Sequence, residues 1–446
     1  MRASFLLVIA ALLAAETRKL PAPYQSLVEQ SHAAPAEFAA DALLRIVESG
    51  KIPDRQAKQD LVEQAFRLAA VAKFPVRMHG IQGTLTDTRS GFLSAAYDLK
   101  LDALSLQSRS VRDMLPINAA KARELFAEIP HPALAARTCY DPLVYDVADY
   151  YQTLGVVADG AFTQPERKKE AHVTFLLDYL GQVSAAAELA PAARAIKSAG
   201  VSPQQREALW ARFNGVLETL QPDDRSYAAA IKEIGQEMTA ATQVSFERFK
   251  QKSAGCPDDA RPGVTLDLSS GPVHAGSTPE LERYWQSGPA KQLLQDGLRL
   301  RYNADGKLIP ESARSSPEWQ QRLSDYLAEL ADWNAAQEKS EADFYHQKSI
   351  IYESLVELIP AGAERDKIIH AFVDFIGNSS LAQQSPVEWF VEAYSMFERA
   401  RNSGNGDAAK LLDAYQNSSS AVLAMYANEE KTFGSSQVPS WVMNSR

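Results

Sequence analysis

Two pairs of residues are spaced to put an oxygen and a nitrogen on one helical face, Asp343-x-x-His346 and Asp366-x-x-x-His370. Set on neighbouring helices, such pairs are the raw material of a metal site inside a bundle. The residues around the second pair argue otherwise. Ile368, Ile369, Phe372 and Ile376 mark the apolar face of that helix, and His370 lies nearly opposite them, towards solvent. Carboxylate-bridged sites in bundles also call for further inward-facing glutamates. No metal or cofactor is assigned on this pattern.

Paired aspartates occur twice, at Asp223-Asp224 and Asp258-Asp259, where Mg²⁺ or Ca²⁺ chemistry is conceivable. Each pair follows a proline. The first opens a helix, so capping and compensation of the helix dipole account for it. The second lies in linker-like sequence.

The densest stretch is TCYDPLVYDVADYYQ, residues 138 to 152, with one cysteine, three aspartates and four tyrosines. Asp141-Pro142 has the form of a helix cap followed by a first-turn proline. On a helical wheel from Leu143, the residues Val144, Val147, Tyr150, Tyr151 and Leu154 share one face. Asp146 and Asp149 share the other, so the pattern predicts both aspartates in water. Cys139 precedes the cap, and no histidine adjoins it to activate a thiolate.

The chain holds two cysteines, Cys139 and Cys256. An N-terminal segment bears on their state. Arg2 is followed by ASFLLVIAALLAA and then by the polar Glu16-Thr17-Arg18-Lys19, the form of a secretory signal peptide over residues 1–15. Thirteen helical residues reach only about 20 Å, short of a bilayer core. Export places both thiols in an oxidising compartment, periplasmic or extracellular, where an even cysteine count favours a Cys139–Cys256 disulfide. The closed loop would limit the unfolded chain by roughly 4–5 kcal/mol at most.

Nucleophile elbows, H-E-x-x-H pairs, phosphate loops and C-x-x-C are all missing from the sequence, and none of the seven histidines adjoins another. The net charge of −10 over 446 residues disfavours nucleic acid and anionic lipid as partners.

The elements that must carry these residues are helices. Leu209, Phe213, Val216, Leu217 and Leu220 fall on one stripe, as do Leu61, Ala65, Leu68 and Ala72. Trp319, Leu323, Tyr326, Leu330 and Trp333 form a heptad-type seam that continues through Phe344, Ile351, Leu355 and Leu358, with a break near Lys339-Ser340 as an alternative to one long helix. Proline starts recur at Pro142, Pro203, Pro279, Pro317 and Pro386, and glycine stops at Gly50, Gly200, Gly255 and Gly377. The expected fold is all-α: an irregular helical array of α-solenoid-like helix pairs over 20–255, a linker at 256–278, a smaller helical bundle with long helices over 279–433, and a tail at 434–446. Helical arrays build extended grooves. The expected function is an exported protein- or peptide-binding or scaffolding module. The alternative is an exported enzyme with carboxylate or metal chemistry in a helical groove.

Overall fold

The computed structural model describes residues 20–80, 88–137, 141, 143–220, 240–252, 288–338, 340–404 and 406–434. The expected signal segment, both cysteines, both aspartate pairs and the 256–278 linker lie outside the described residues.

The fold is an all-α helical array. Its first half runs α1 (Ala22–Ser31), α2 (Ala36–Glu48), α3 (Arg55–Ala69), β1 (Met78–Gly80), α4 (Thr88–Asp98), α5 (Ala103–Met114), α6 (Ala119–Glu128) and β2 (Leu143–Tyr145). It continues through α7 (Ala148–Gly160), α8 (Gln164–Lys168), α9 (Ala171–Leu180), α10 (Ala186–Ser198), α11 (Pro203–Thr219) and α12 (Ala240–Gln251). The second half comprises α13 (Gly288–Arg301), α14 (Pro317–Asp332), α15 (Glu341–Leu358), α16 (Ala363–Gly377), α17 (Leu381–Gln384), α18 (Pro386–Ser403), α19 (Asp407–Gln416) and α20 (Ala421–Phe433).

Local chemistry sets most boundaries. Ser202 and Ser316 cap α11 and α14 by accepting from the backbone N–H three residues on, each with proline at the first helical position. Gly50, at φ +69°, makes the left-handed turn just beyond α2. The seam from Trp319 to Trp333 is buried throughout. The chain breaks after it: α14 ends at Asp332, and Ser340 caps α15 afresh.

Two expectations are corrected. The stretch 143–147 is not the first turn of a helix begun at Pro142. Leu143–Tyr145 is a strand, paired antiparallel with Met78–Gly80 in the register Met78 to Tyr145. Asp146 Oδ1 then accepts from Ala148 N at 2.9 Å, a side-chain turn that postpones the helix to Ala148. The Leu61 stripe is partly displaced: Leu61 and Ala65 bury as expected, but α3 ends at Ala69, and Val62, Phe66 and Ala69 bury while Leu68 and Ala72 are only half-buried.

The pivot of the first half is α5, which packs against α2, α3, α6 and α7. Asp102 caps it, accepting from Ser105 N at 3.0 Å. Ser105, Ser108 and Ser110 are buried within it. Their small side chains let neighbouring backbones approach closely. The two halves meet where α1 packs on α20 and α4 on α18. There Phe38 meets Phe390 edge-on at 5.2 Å, and Arg45 reaches Glu429 and Glu430 of α20.

Candidate functional site

A chain of charged groups follows α5 from the interior to an open cleft. At its inner end stands Asp149, on the first turn of α7 and buried rather than solvated, contrary to the helical-wheel expectation. The reason is the late helix start: moving the first turn to Ala148 turns Asp149 inward against α5. Three cations converge on its carboxylate. Arg77 Nη2, Lys100 Nζ and Arg112 Nη2 each lie 3.5 Å from it, and Ser105 Oγ donates at the same distance. Asp146, half-buried, pairs with Arg77 at 2.5 Å, with His79 Nδ1 at 3.9 Å.

Lys100 adopts φ +54°, a left-handed conformation that few residues other than glycine, asparagine and aspartate take readily. That turn delivers its ammonium to Asp149 and passes the chain to the cap at Asp102. Burial pushes the Asp102 carboxyl up to about 6, against its bonds from Ser105, and its Oδ1 has no hydrogen-bond partner. Burial raises Asp98 as well, over the opposing pull of Arg77.

Arg112 links the inner end to the cleft. Its Nη1 donates to Thr153 Oγ1 at 2.7 Å and to the Asp149 carbonyl at 3.3 Å. Burial lowers its pKa, only partly offset by Asp149. One turn earlier, Arg109 clamps Glu48 with Nε and Nη2 at 2.7 and 2.6 Å and reaches Asp41 with Nη1 at 2.5 Å. Burial draws this guanidinium down, but Glu48 and Asp41 outweigh it and hold it charged.

The outer end is a cleft of about 440 Å³ between the α2–α3 connection and the α5–α6 turn. Glu48, Arg55, Lys58, Arg112 and Asp113 supply its charged lining. Arg55 donates to the Ile117 carbonyl from Nε at 2.7 Å and also from Nη2, which fixes the far wall. Asp113 Oδ2 is sealed from water with no hydrogen-bond partner, and Glu48, itself held by Arg109, lies close to it. Burial, followed by Glu48, pushes Asp113 up to about 8. Lys58 is half-buried, and its side chain makes no hydrogen bond or ion pair with the described residues.

The sequence-derived metal pairs do not converge. His346 is buried, its Nδ1 2.5 Å from Glu392 Oε1 and its ring 4.6 Å from that of Phe92. Asp343 instead accepts from the Ser340 hydroxyl at 2.6 Å at the start of α15. His370 is exposed, as its wheel position predicts, with Nδ1 2.7 Å from the carbonyl of Asp366. Among the described residues no group of three histidine, cysteine, aspartate or glutamate side chains is placed to hold a metal ion. Nor is any helix among them long and apolar enough to cross a membrane. Cys139 and Cys256, the expected disulfide, fall outside the described residues.

Sequence reasoning missed the α5 network. Its only local signal is the run SLQSRSVRD, residues 105 to 113, which carries three serines where a core helix would carry apolar residues. Comparison with known proteins adds no analogy: no family model matches the chain, and no curated protein or solved structure matches it.

Proposed function

We propose that the protein is an exported helical scaffold that holds a protein or peptide partner at the α5 cleft. The observation that carries this reading is the cleft itself, about 440 Å³ in volume and edged by Lys58, a cation with no partner among the described residues. An amphipathic ammonium held half-buried beside an open concavity is a binding group in waiting. The rigid part of the site supports the same role: Arg109 and Arg112 are tied by several charge-assisted hydrogen bonds, so the cleft wall needs little ordering when a ligand enters.

A photo-cross-linking residue at Pro53 or Pro116, both exposed on the rim, tests the reading in the full-length protein. Cross-linked polypeptide is expected from these positions and not from Val71, exposed at 65% on another part of the surface. Equal labelling at all three sites, or none, refutes partner binding at the cleft.

A second reading rests on the Glu48–Asp113 pair. A carboxyl held protonated up to about 8 in an open cleft has the form of a general acid beside its carboxylate partner. Turnover of any substrate that survives Lys58→Gln but is abolished by Asp113→Asn would select this reading over binding.

A further inference from the structure

We propose that the cleft's ligand group is a carboxylate, seated between the ammonium of Lys58 and the outward edge of Arg112, above the paired Glu48 and Asp113 side chains. This rests on the cleft being the partner site, and it names the chemistry of what enters. The argument is one of charge and geometry. Three cations line the cleft: Arg55, Lys58 and Arg112. Arg55 is committed to the Ile117 carbonyl, and Arg112 is partly committed to Asp149 and Thr153. Lys58 has no such commitment.

Even with Glu48 and Asp113 both ionised, the five charged side chains, three cations and two carboxylates, leave a positive surplus that an anion would neutralise. The same floor limits the anion's charge. A dianion over Lys58 would also face Glu48, whereas a single planar carboxylate can accept from both cations. Acidic peptide side chains, a chain terminus and small organic acids all present that group.

The acid pair makes the binding proton-linked. Asp113 is faced by Glu48 and, beyond it, Asp41 from α2, by Arg55 and Lys58 from α3, by Arg109 and Arg112 on its own helix, and through Arg112 by Asp149 of α7. A bound carboxylate adds another negative charge beside Asp113 and so favours its protonated form. By reciprocity, protonated Asp113 favours the carboxylate. Affinity should fall as pH rises through the range in which Asp113 ionises.

Fluorescence anisotropy with the full-length protein tests this. The probe is a labelled peptide rich in Asp and Glu, compared with the same peptide carrying Asn and Gln. Succinate and inorganic phosphate serve as competitors. The acidic peptide is expected to bind on the order of tenfold more tightly than its neutral twin at pH 6.5. Lys58→Gln should erase that preference and Lys58→Arg should restore it. Between pH 6.5 and pH 9 the wild type should lose several-fold affinity, and Asp113→Asn should lose almost none. Displacement by succinate supports the carboxylate and assigns a small acid as its source; displacement by the peptide alone supports a peptide source. Equal affinity for the acidic and neutral peptides, no effect of Lys58→Gln, or stronger competition by phosphate than by succinate overturns the proposal. If rim cross-links to a partner persist in that case, only the ligand chemistry is wrong and the partner site stands. If the cross-links are also absent, both fall.

Discussion

Replacing Arg45 with methionine should strike the junction between the two halves. Arg45 stands on α2 with its guanidinium bonded to Glu429 and, at 3.0 Å, to Glu430 of α20, all three side chains being at most 6% exposed. The same group lies 5.2 Å from the Phe433 ring centre. Burial draws Arg45 down, while Glu429, Asp41 and Glu430 together hold it charged. Methionine keeps the stem volume but leaves two buried carboxylates unpaired. Breaking a buried pair by removing one partner costs about 3–5 kcal/mol. The lower end applies here, about 3 kcal/mol at pH 7, because one carboxylate can escape by taking a proton: burial already pushes Glu429 up to about 8. At pH 5 the loss should be smaller, because Glu429, which burial already raises to about 8, is then fully protonated. Urea unfolding followed by the fluorescence of buried Trp319 and Trp389 measures both values. The triple variant Arg45→Met, Glu429→Gln, Glu430→Gln should regain at least half of the loss at pH 7. A loss below about 1 kcal/mol at pH 7, or an equal loss at both pH values, refutes the account of the junction as a charge-compensated contact.

Stability should decline as pH rises from about 5 to 8.5, because burial raises Asp102 to about 6, Glu353 to about 7, and Asp113 and Glu429 to about 8. Over that range the folded chain keeps protons that the unfolded chain releases. Glu353→Gln should flatten the curve by on the order of 2 kcal/mol, with urea midpoints across the range as the measure. Trp389→Phe should cost about 2–4 kcal/mol, since Nε1 donates to the Ile376 carbonyl at 2.8 Å within a fully buried site, and differential unfolding against the wild type reads it. Non-reducing peptide mapping of exported protein should recover Cys139 and Cys256 in one disulfide-linked species; two alkylated free thiols would contradict the pairing.

Much of the helical architecture was legible because it is written in local grammar. Ser202-Pro203 and Ser316-Pro317 carry cap and first turn in two adjacent residues, and both start helices at those positions. The same grammar misled at Asp141-Pro142. Leu143-Val144-Tyr145 is a β-branched and aromatic trio that finds a partner in Met78–Gly80, more than sixty positions earlier. A three-residue pairing has no periodicity to reveal it, and the Asp146 turn that delays the helix acts only once the strand is in place.

The site was hidden for a related reason. Helical periodicity sorts residues into inside and outside, and it assigns charge to the outside. On α5 that assignment fails because the partners of its charged residues come from elements far away in sequence. Arg109 needs Asp41 and Glu48, at separations of 68 and 61 residues, and Arg112 needs Thr153, at 41. Each ion is tolerable inside only because its counter-ion arrives from another helix, so no single segment contains the information. A sequence signal does remain once the principle is turned round. A helix such as SLQSRSVRD, with serine where a core helix would place leucine, has too little apolar surface to be buried by apolar packing alone. Such a segment is stable only as the centre of a polar network, and the end of that network that reaches solvent, here between Lys58 and Asp113, is where a ligand can enter.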